Sequence, residues 1–281
     1  MRATVSKTPV GSLASLRIFG SGLDFDSLSH QLGVQPSDSH RRGERGLSSI
    51  RYSEDMWSVD SPHPRTSPLD VHLKWLRQVL SPHYDFLRQL KEKYEISSYC
   101  GISVDGDSCR LEISPEALKI FVDLGVDMDL SIIFAGYSEQ EPRPSTAAVE
   151  VGYDQTGSSV SFQVVGIGLD VDAISATLGL APSATHRSGD IDVSGKPYPD
   201  DFWSILAACS GGVELDAHFR WLGTVLLPHA DFLRSLGLRA ELLIRCNFGT
   251  ESDIGGVGIS PEGLKVCTDL GIPLEFTTYL I

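Results

Sequence analysis

Residues 82–88, Pro-His-Tyr-Asp-Phe-Leu-Arg, return 146 positions later as residues 228–234, Pro-His-Ala-Asp-Phe-Leu-Arg. The same step separates Trp57 from Trp203 and His72 from His218. A spacing that stays constant over the length of a domain indicates a tandem duplication, because packing and turns fix the length of each copy.

The repeat predicts two homologous domains, residues 1–136 and 147–281. Between them, residues 137–146 are rich in Pro, Ser and Glu, which is typical of a linker. The alternating apolar residues Val149, Val151 and Tyr153 predict an additional strand at the start of the second domain.

Each copy carries start and stop signals for its helices. Asp24 and Gly33 bound a short helix as N-cap and C-terminal residue. An amphipathic helix follows around Trp75, and Pro82 begins another because proline is tolerated in a first turn. Ser114 is placed to cap the last helix.

The strands complete the fold prediction. Runs at 96–104 and 109–113 are separated by Asp105-Gly106, a signal for a tight hairpin. The resulting order, β-α-β-α-α-β-β-α-β, predicts an α+β fold. We expect two tandem α/β-sandwich domains, each a largely antiparallel sheet with helices packed on one face. A parallel, doubly wound sheet is the alternative.

Composition restricts the partners. The net charge is −14, and residues 141–281 contribute −10 of it, with 8 Lys and Arg against 18 Asp and Glu. Such acidity disfavours nucleic acid and anionic membranes and favours a basic protein partner. Simple solubility is the alternative explanation of the charge.

The cysteines and the N-terminal sequence indicate a reducing, cytoplasmic location. Five cysteines show no paired spacing, no apolar run approaches the length of a membrane span, and residues 1–20 lack a hydrophobic signal core. Cys100 and Cys246 are equivalent positions in an expected buried strand.

The repeated motifs, Leu-Gly-x-x-Pro-Ser, His-Arg-x-Gly-Glu/Asp, a single Trp and Ser-Pro-Glu-x-Leu-Lys, resemble those of the bacterial domain of unknown function family 4279. Both copies fit the pattern. The resemblance implies a bacterial cytosolic module without an established reaction. Small acidic bacterial proteins of this kind are often immunity proteins encoded beside toxins, which is an analogy.

The His-Arg motif is the first candidate site. It places a basic pair, a glycine and an acid on a loop in each copy, which is a suitable set for an anion pocket. The alternative is an internal brace in which Arg41 pairs with Glu44 or Asp85. The candidate residues are His40, Arg41, Glu44, His186, Arg187 and Asp190.

Metal binding and catalysis are weaker alternatives. Ligation would need convergence of His72, His83, His40 and Asp85, whose spacing matches no compact zinc motif. His83 and Asp85 are two apart on a helix and point in different directions, which disfavours an acid-base dyad. We therefore expect no metal, no cofactor and no catalytic residue, and at position 72 a packed histidine that is hydrogen-bonded to the backbone.

The loops after the His-Arg motif differ in charge between the copies. The first contains Arg42 and Arg45, and the second contains Asp190, Asp192, Asp200 and Asp201. We expect these loops to contact a partner, unless they neutralise each other between the copies.

The expected function is a noncatalytic cytosolic protein-binding module, an immunity protein that neutralises a basic toxin through its acidic second copy. The alternatives are a small-ligand sensor or enzyme using the His-Arg pocket of each copy, and a structural subunit.

Overall fold

The computed structural model describes residues 8–46, 51–135, 158–207 and 215–281. The expected linker, the domain boundaries at 136 and 147, Cys209 and the extra strand around Val151 lie outside the described residues. Among the described helices, none is both long and apolar enough to cross a membrane.

The two repeats have the same order of elements. The first contains β1 (Gly11–Gly20), α1 (Phe25–Leu32), β2 (Asp38–His40), β3 (Asp55–Asp60), α2 (Leu69–Leu80), α3 (Tyr84–Leu90), β4 (Glu95–Asp105), β5 (Ser108–Ile113), α4 (Pro115–Leu124) and β6 (Met128–Ala135). The second contains β7 (Ser159–Gly166), α5 (Val171–Leu178), β8 (Ala184–His186), β9 (Asp201–Leu206), α6 (Leu215–Leu226), α7 (Ala230–Leu236), β10 (Glu241–Thr250), β11 (Ile254–Ile259), α8 (Pro261–Leu270) and β12 (Leu274–Leu280).

The predicted capping signals are confirmed. The Asp24 side chain accepts a hydrogen bond from the backbone N–H of Ser27, and Gly33 ends α1 with φ of 66°. Ser114 caps α4 by accepting from the N–H of Ala117. Pro82 lies in a short 3-10 turn, Ser81–His83, that joins α2 to α3. These interactions satisfy N–H groups that a helix leaves unpaired at its start.

Each sheet has six strands and is largely antiparallel, as expected. The first has the order β11-β6-β4-β1-β3-β2 and the second β5-β12-β10-β7-β9-β8. One pair in each sheet is parallel, β4 with β6 and β10 with β12. The short edge strands β2 and β8 end at His40 and His186, the first residues of the motif that we expected to lie on a loop.

The predicted hairpin at Asp105-Gly106 is wrong. Strand β4 is already paired with β1 on one side and with β6 on the other, so it has no free edge for β5. The chain instead passes through Gly106 and Asp107 into the second sheet, where β5 pairs with β12. Strand β11 makes the reciprocal crossing and pairs with β6. Each sheet is therefore completed by a strand from the other repeat.

The helices and the buried side chains follow the same reciprocal arrangement. Helix α4 packs against its equivalent α8, and α2 and α6 flank this pair. Helix α2 contacts β1 of its own repeat and β5 in the second sheet. Buried apolar residues from both repeats, among them Trp57 and Trp203, form one continuous cluster.

A buried carboxylate connects the exchanged strand β5 to the second sheet. Glu275 on β12 is 1% exposed and lies between Arg245 on β10 and Arg110 on β5. Arg245 Nε lies 2.6 Å from Glu275 Oε1, and Arg110 donates to Oε2. A carboxylate that is buried without hydrating water needs charged hydrogen-bond donors of this kind. The contact with Arg110 therefore stabilises the pairing of β5 with the second sheet.

We predict that Arg110→Ala lowers the free energy of unfolding by about 1–2 kcal/mol, because buried Glu275 then keeps one of its two charged donors. Urea denaturation followed by circular dichroism measures the change. Asp231→Ala is the control, since it removes an exposed ion pair with Arg234 and should change stability little. Equal effects of the two variants would contradict the role of the Arg110 contact.

Candidate functional site

The His-Arg motif folds around a carboxylate that we did not single out from the sequence. Asp55, the first residue of β3, is 6% exposed. Its Oδ2 accepts hydrogen bonds from the backbone N–H of Gly22 at 2.8 Å and of Leu23 at 3.1 Å, and Oδ1 accepts from Arg42 N at 2.8 Å. One side chain thus joins the loop before α1 to the loop after β2.

Arg41 packs over this carboxylate. Its guanidinium lies 3.6 Å from the centre of the Phe25 ring and donates to the carbonyl oxygen of Leu23. Its Nη1 is 3.5 Å from Asp55 Oδ2. The carboxylate beside Arg41 is therefore Asp55, whereas Asp85 pairs with Arg88 on α3.

The second repeat reproduces the same arrangement around Asp201, the residue equivalent to Asp55. Asp201 Oδ2 accepts from Leu169 N and Oδ1 from Ser188 N, each at 2.7 Å. Arg187 donates to the carbonyl oxygen of Leu169. We call Asp55 and Asp201 with their N–H donors the carboxylate hubs.

The hubs hold their carboxylates ionised. The backbone N–H of Arg42 is the main cause that lowers the pKa of Asp55, aided by Gly22, Leu23 and the charge of Arg41 and opposed by burial. Ser188 and Leu169 lower the pKa of Asp201 in the same way. Each carboxylate contributes to the structure through the backbone N–H groups that it holds.

Aromatic stacking fixes the histidines of the motif. His40 stacks on Tyr52 with ring centres 3.4 Å apart, and His186 stacks on Tyr198 at 3.6 Å. Gly43 and Gly189 follow with φ of 85° and 89°, a conformation that favours glycine. The structure thus brings His40, Arg41 and their equivalents together around the hubs, and ligand binding there stays a prediction.

The acids of the second loop have mixed roles. The side chain of Asp190 accepts from the N–H of Arg187. Asp192 accepts from the N–H groups of Lys196 and Ser194. The Lys196 N–H is the main cause that lowers the pKa of Asp192, aided by the hydroxyl and the N–H of Ser194. Asp200 remains half-exposed.

Our expectation that Asp201 is an exposed loop charge is wrong, because this residue is 5% exposed and forms a hub. In the first copy Glu44, Arg42 and Arg45 are exposed. Arg42 also contributes its backbone N–H to Asp55, so its side chain is the part available to a partner.

His72, the buried histidine of α2, is packed without a hydrogen bond to its ring. His72 is fully buried, and neither ring nitrogen makes a hydrogen bond. Burial is the main cause that lowers its pKa, with a contribution from His63, whose ring centre is 6.0 Å away. Backbone groups of Ser67 and Pro64 oppose the shift. We expected a backbone hydrogen bond, and none of normal geometry forms at this histidine.

The remaining nucleophiles and metal ligands are dispersed. Within the described ranges, no three His, Cys, Asp or Glu side chains gather as a metal site. Cys100 is buried in β4 and Cys246 in β10, as expected for a strand position. Burial raises the pKa of the Cys100 thiol to about 12, which disfavours the nucleophilic thiolate.

The hubs were detectable in the sequence. Asp55 and Asp201 are 146 positions apart, each two residues before the repeated Trp, although an isolated Asp at the start of a strand carries no recognised motif. A second pair, Asp70 and Asp216, behaves likewise. Asp70 accepts from both the N–H and the hydroxyl of Ser114, and so ties α2 to the start of α4.

We predict that Asp201→Ala destabilises the fold far more than Asp200→Ala, because the first leaves the buried N–H of Leu169, and the N–H of Ser188, without their acceptor. Thermal unfolding of the two variants measures the difference. The contribution of the hub has a definite pH dependence. Since its folded-state pKa lies below 3.8, the stabilisation is present above that pH and is lost as the pH falls below it.

We predict a separate loss of stability below about pH 6.5, caused by His72. Its pKa is lowered on folding, so the unfolded chain binds the proton more readily and acid favours unfolding. Urea denaturation at pH 7.5 and 5.5 should show that His72→Leu reduces this loss. His30→Gln, at an exposed position on α1, should retain it. Identical pH dependence in both variants would contradict this role.

Comparison with known proteins identifies the repeat. No curated protein matches the chain. The family model described as "Domain of unknown function (DUF4279)" matches residues 8–135 and 154–281. The two matches together cover most of the chain and correspond to the two copies seen in the sequence. The chain therefore belongs to the DUF4279 family and contains two tandem copies of its domain.

Proposed function

We propose that this chain is a noncatalytic, cytosolic binding protein that recognises a basic protein partner, in the manner of an immunity protein that neutralises a toxin. The observation that supports this proposal most directly is the surface charge. Among the described residues, 22 carboxylate side chains are exposed, against 15 exposed Lys and Arg side chains. A field of this sign speeds encounter with a basic protein and slows encounter with nucleic acid or anionic lipid.

The contacts of the His-Arg motif support binding over chemistry. In each repeat the motif's arginine and the nearby carboxylate are engaged with the backbone of the same loops. A small anion at this place would have to compete with those contacts for the guanidinium. The motif arginine and the hub carboxylate of each repeat therefore hold the loops in place. The two repeats differ in the exposed side chains of these loops.

The charge is less concentrated in the second repeat than its sequence suggests. Asp201 and Glu275 are buried, and Asp190 and Asp192 hold backbone N–H groups. Asp200 is the acid of the second loop most suited to a partner, and Glu54 is its equivalent in the first repeat. This pair permits a matched test of which repeat contacts the partner.

We predict that Asp200→Lys slows association with the basic partner several-fold at low salt, and that the effect fades as salt screens the charges. The partner is captured from the source cells, identified by mass spectrometry, and used in stopped-flow kinetics. Glu54→Lys is the matched control and should have the smaller effect. Folding stability should be nearly unchanged in both.

Two results would count against this assignment. The first is an unchanged association rate for Asp200→Lys combined with loss of association for Arg42→Glu and Arg45→Glu, which would move the contact to the basic loop. The second is an acidic or nucleic-acid partner whose binding grows stronger when carboxylates are replaced.

A further inference from the structure

Strand β11 has a free edge. In the part of the chain that the structure describes, it is the last strand of the first sheet and pairs with β6. The N–H of Phe134 donates to the carbonyl of Asp253, so Asp253 and Gly255 direct their backbone groups toward β6. Because successive residues of an antiparallel strand alternate in direction, Ile254, Gly256 and Gly258 direct theirs outward. The N–H of Ile254 donates to Ser252 Oγ at 3.4 Å, so the outward groups on offer are the carbonyl of Ile254 and the backbone groups of the two glycines.

This edge lacks the usual protection. Natural edge strands are commonly protected by charged side chains that discourage pairing with other chains. The equivalent strand β5 follows that rule, since Arg110 and Glu112 occupy the positions of Gly256 and Gly258. Both glycines are exposed, and an added Cβ at Gly256 would meet one atom within 4 Å, the carbonyl oxygen of Leu130 at 3.6 Å. The sheet face beside this edge is therefore bare of side chains at both glycines.

Carboxylates surround the free edge. Asp127 and Asp129 on the β6 side and Glu251 and Asp253 before β11 are all exposed. The Asp129 carboxylate lies beside Gly258, 3.4 Å from the position that a Cβ would take. Partial desolvation of the Asp129 carboxyl, and the neighbouring charge of Asp127, raise the pKa of Asp129. The edge thus combines open backbone groups with an acidic border.

The negative charge around the β11 edge determines which kind of partner can bind there. A second copy of this chain would bring two acidic borders together, and like charges at close range cost binding energy. An extended segment with Lys or Arg at every second position would place its cations on the face that carries Asp129. Backbone hydrogen bonds to the carbonyl of Ile254 and to the outward groups of Gly256 and Gly258 would hold it as a seventh strand.

We propose that β11 binds an extended basic segment of the partner by strand addition, with alternate cationic side chains facing Asp129. This proposal rests on the proposed function and specifies the surface and the kind of segment recognised. It also makes the basic partner recognisable by chemistry, as a chain with an exposed strand edge or extended terminus of alternating basic and apolar residues.

The test uses the full chain and a fluorescent peptide, Lys-Val-Lys-Val-Lys-Val-Lys, in anisotropy titrations at low salt. A second peptide of the same sequence is N-methylated at alternate residues, which removes backbone donors while keeping the charge. Gly256→Pro removes an outward donor from β11, and an edge strand tolerates proline at such a position. Glu112→Pro makes the comparable change on the edge of β5. Circular dichroism confirms that the variants are folded.

We expect the unmodified peptide to bind, and Gly256→Pro or N-methylation to weaken it about tenfold through lost backbone hydrogen bonds. Glu112→Pro should leave binding unchanged, and Asp129→Asn should weaken it several-fold. Equal binding of the N-methylated peptide, or no effect of Gly256→Pro, would overturn strand addition while leaving recognition of basic partners intact. Failure of both peptides to bind would overturn recognition of extended basic segments altogether. Dimerisation through β11, detected by sedimentation, would overturn the choice of occupant.

Discussion

The pairing of β4 on both of its edges is the constraint on which the rest of the structure depends. Once β1 and β6 occupy those edges, the next strand along the chain has no place in the same sheet. A connection of two residues then carries β5 into the other repeat, and β10 and β11 repeat the arrangement. Each sheet therefore takes its sixth strand from the other copy.

Exchange of strands also determines where charge is buried. The carboxylate of Glu275 is shielded from solvent because Arg110 arrives on β5 from the first repeat. Its equivalent in the first sheet, Asp129, is exposed because β11 supplies Gly256 at the position of Arg110. A charged contact in one sheet and an open acidic surface in the other thus result from one difference between β5 and β11.

The sequence predicted those features that depend on local chemistry. Asp24, Ser114 and the glycines that end the helices act through residues three or four positions away, so their roles are visible in one stretch of chain. The hairpin at Asp105-Gly106 failed because strand pairing is decided by competition among distant segments. The carboxylate hubs were missed for a related reason. Asp55 contacts the backbone of residues 13 and more positions away, and no motif records such contacts.

The same comparison indicates where function can vary in this fold. Residues that both repeats retain, such as Asp55 with Asp201 and Asp70 with Asp216, are occupied in holding loops and helix starts. Changing them would damage the fold before it altered recognition. Some positions that differ between the copies also have a structural role, since Arg110 on β5 holds buried Glu275, whereas its equivalent on β11 is Gly256. Selection for a partner can therefore act most freely on the edge of β11, where the glycine backbone is bare.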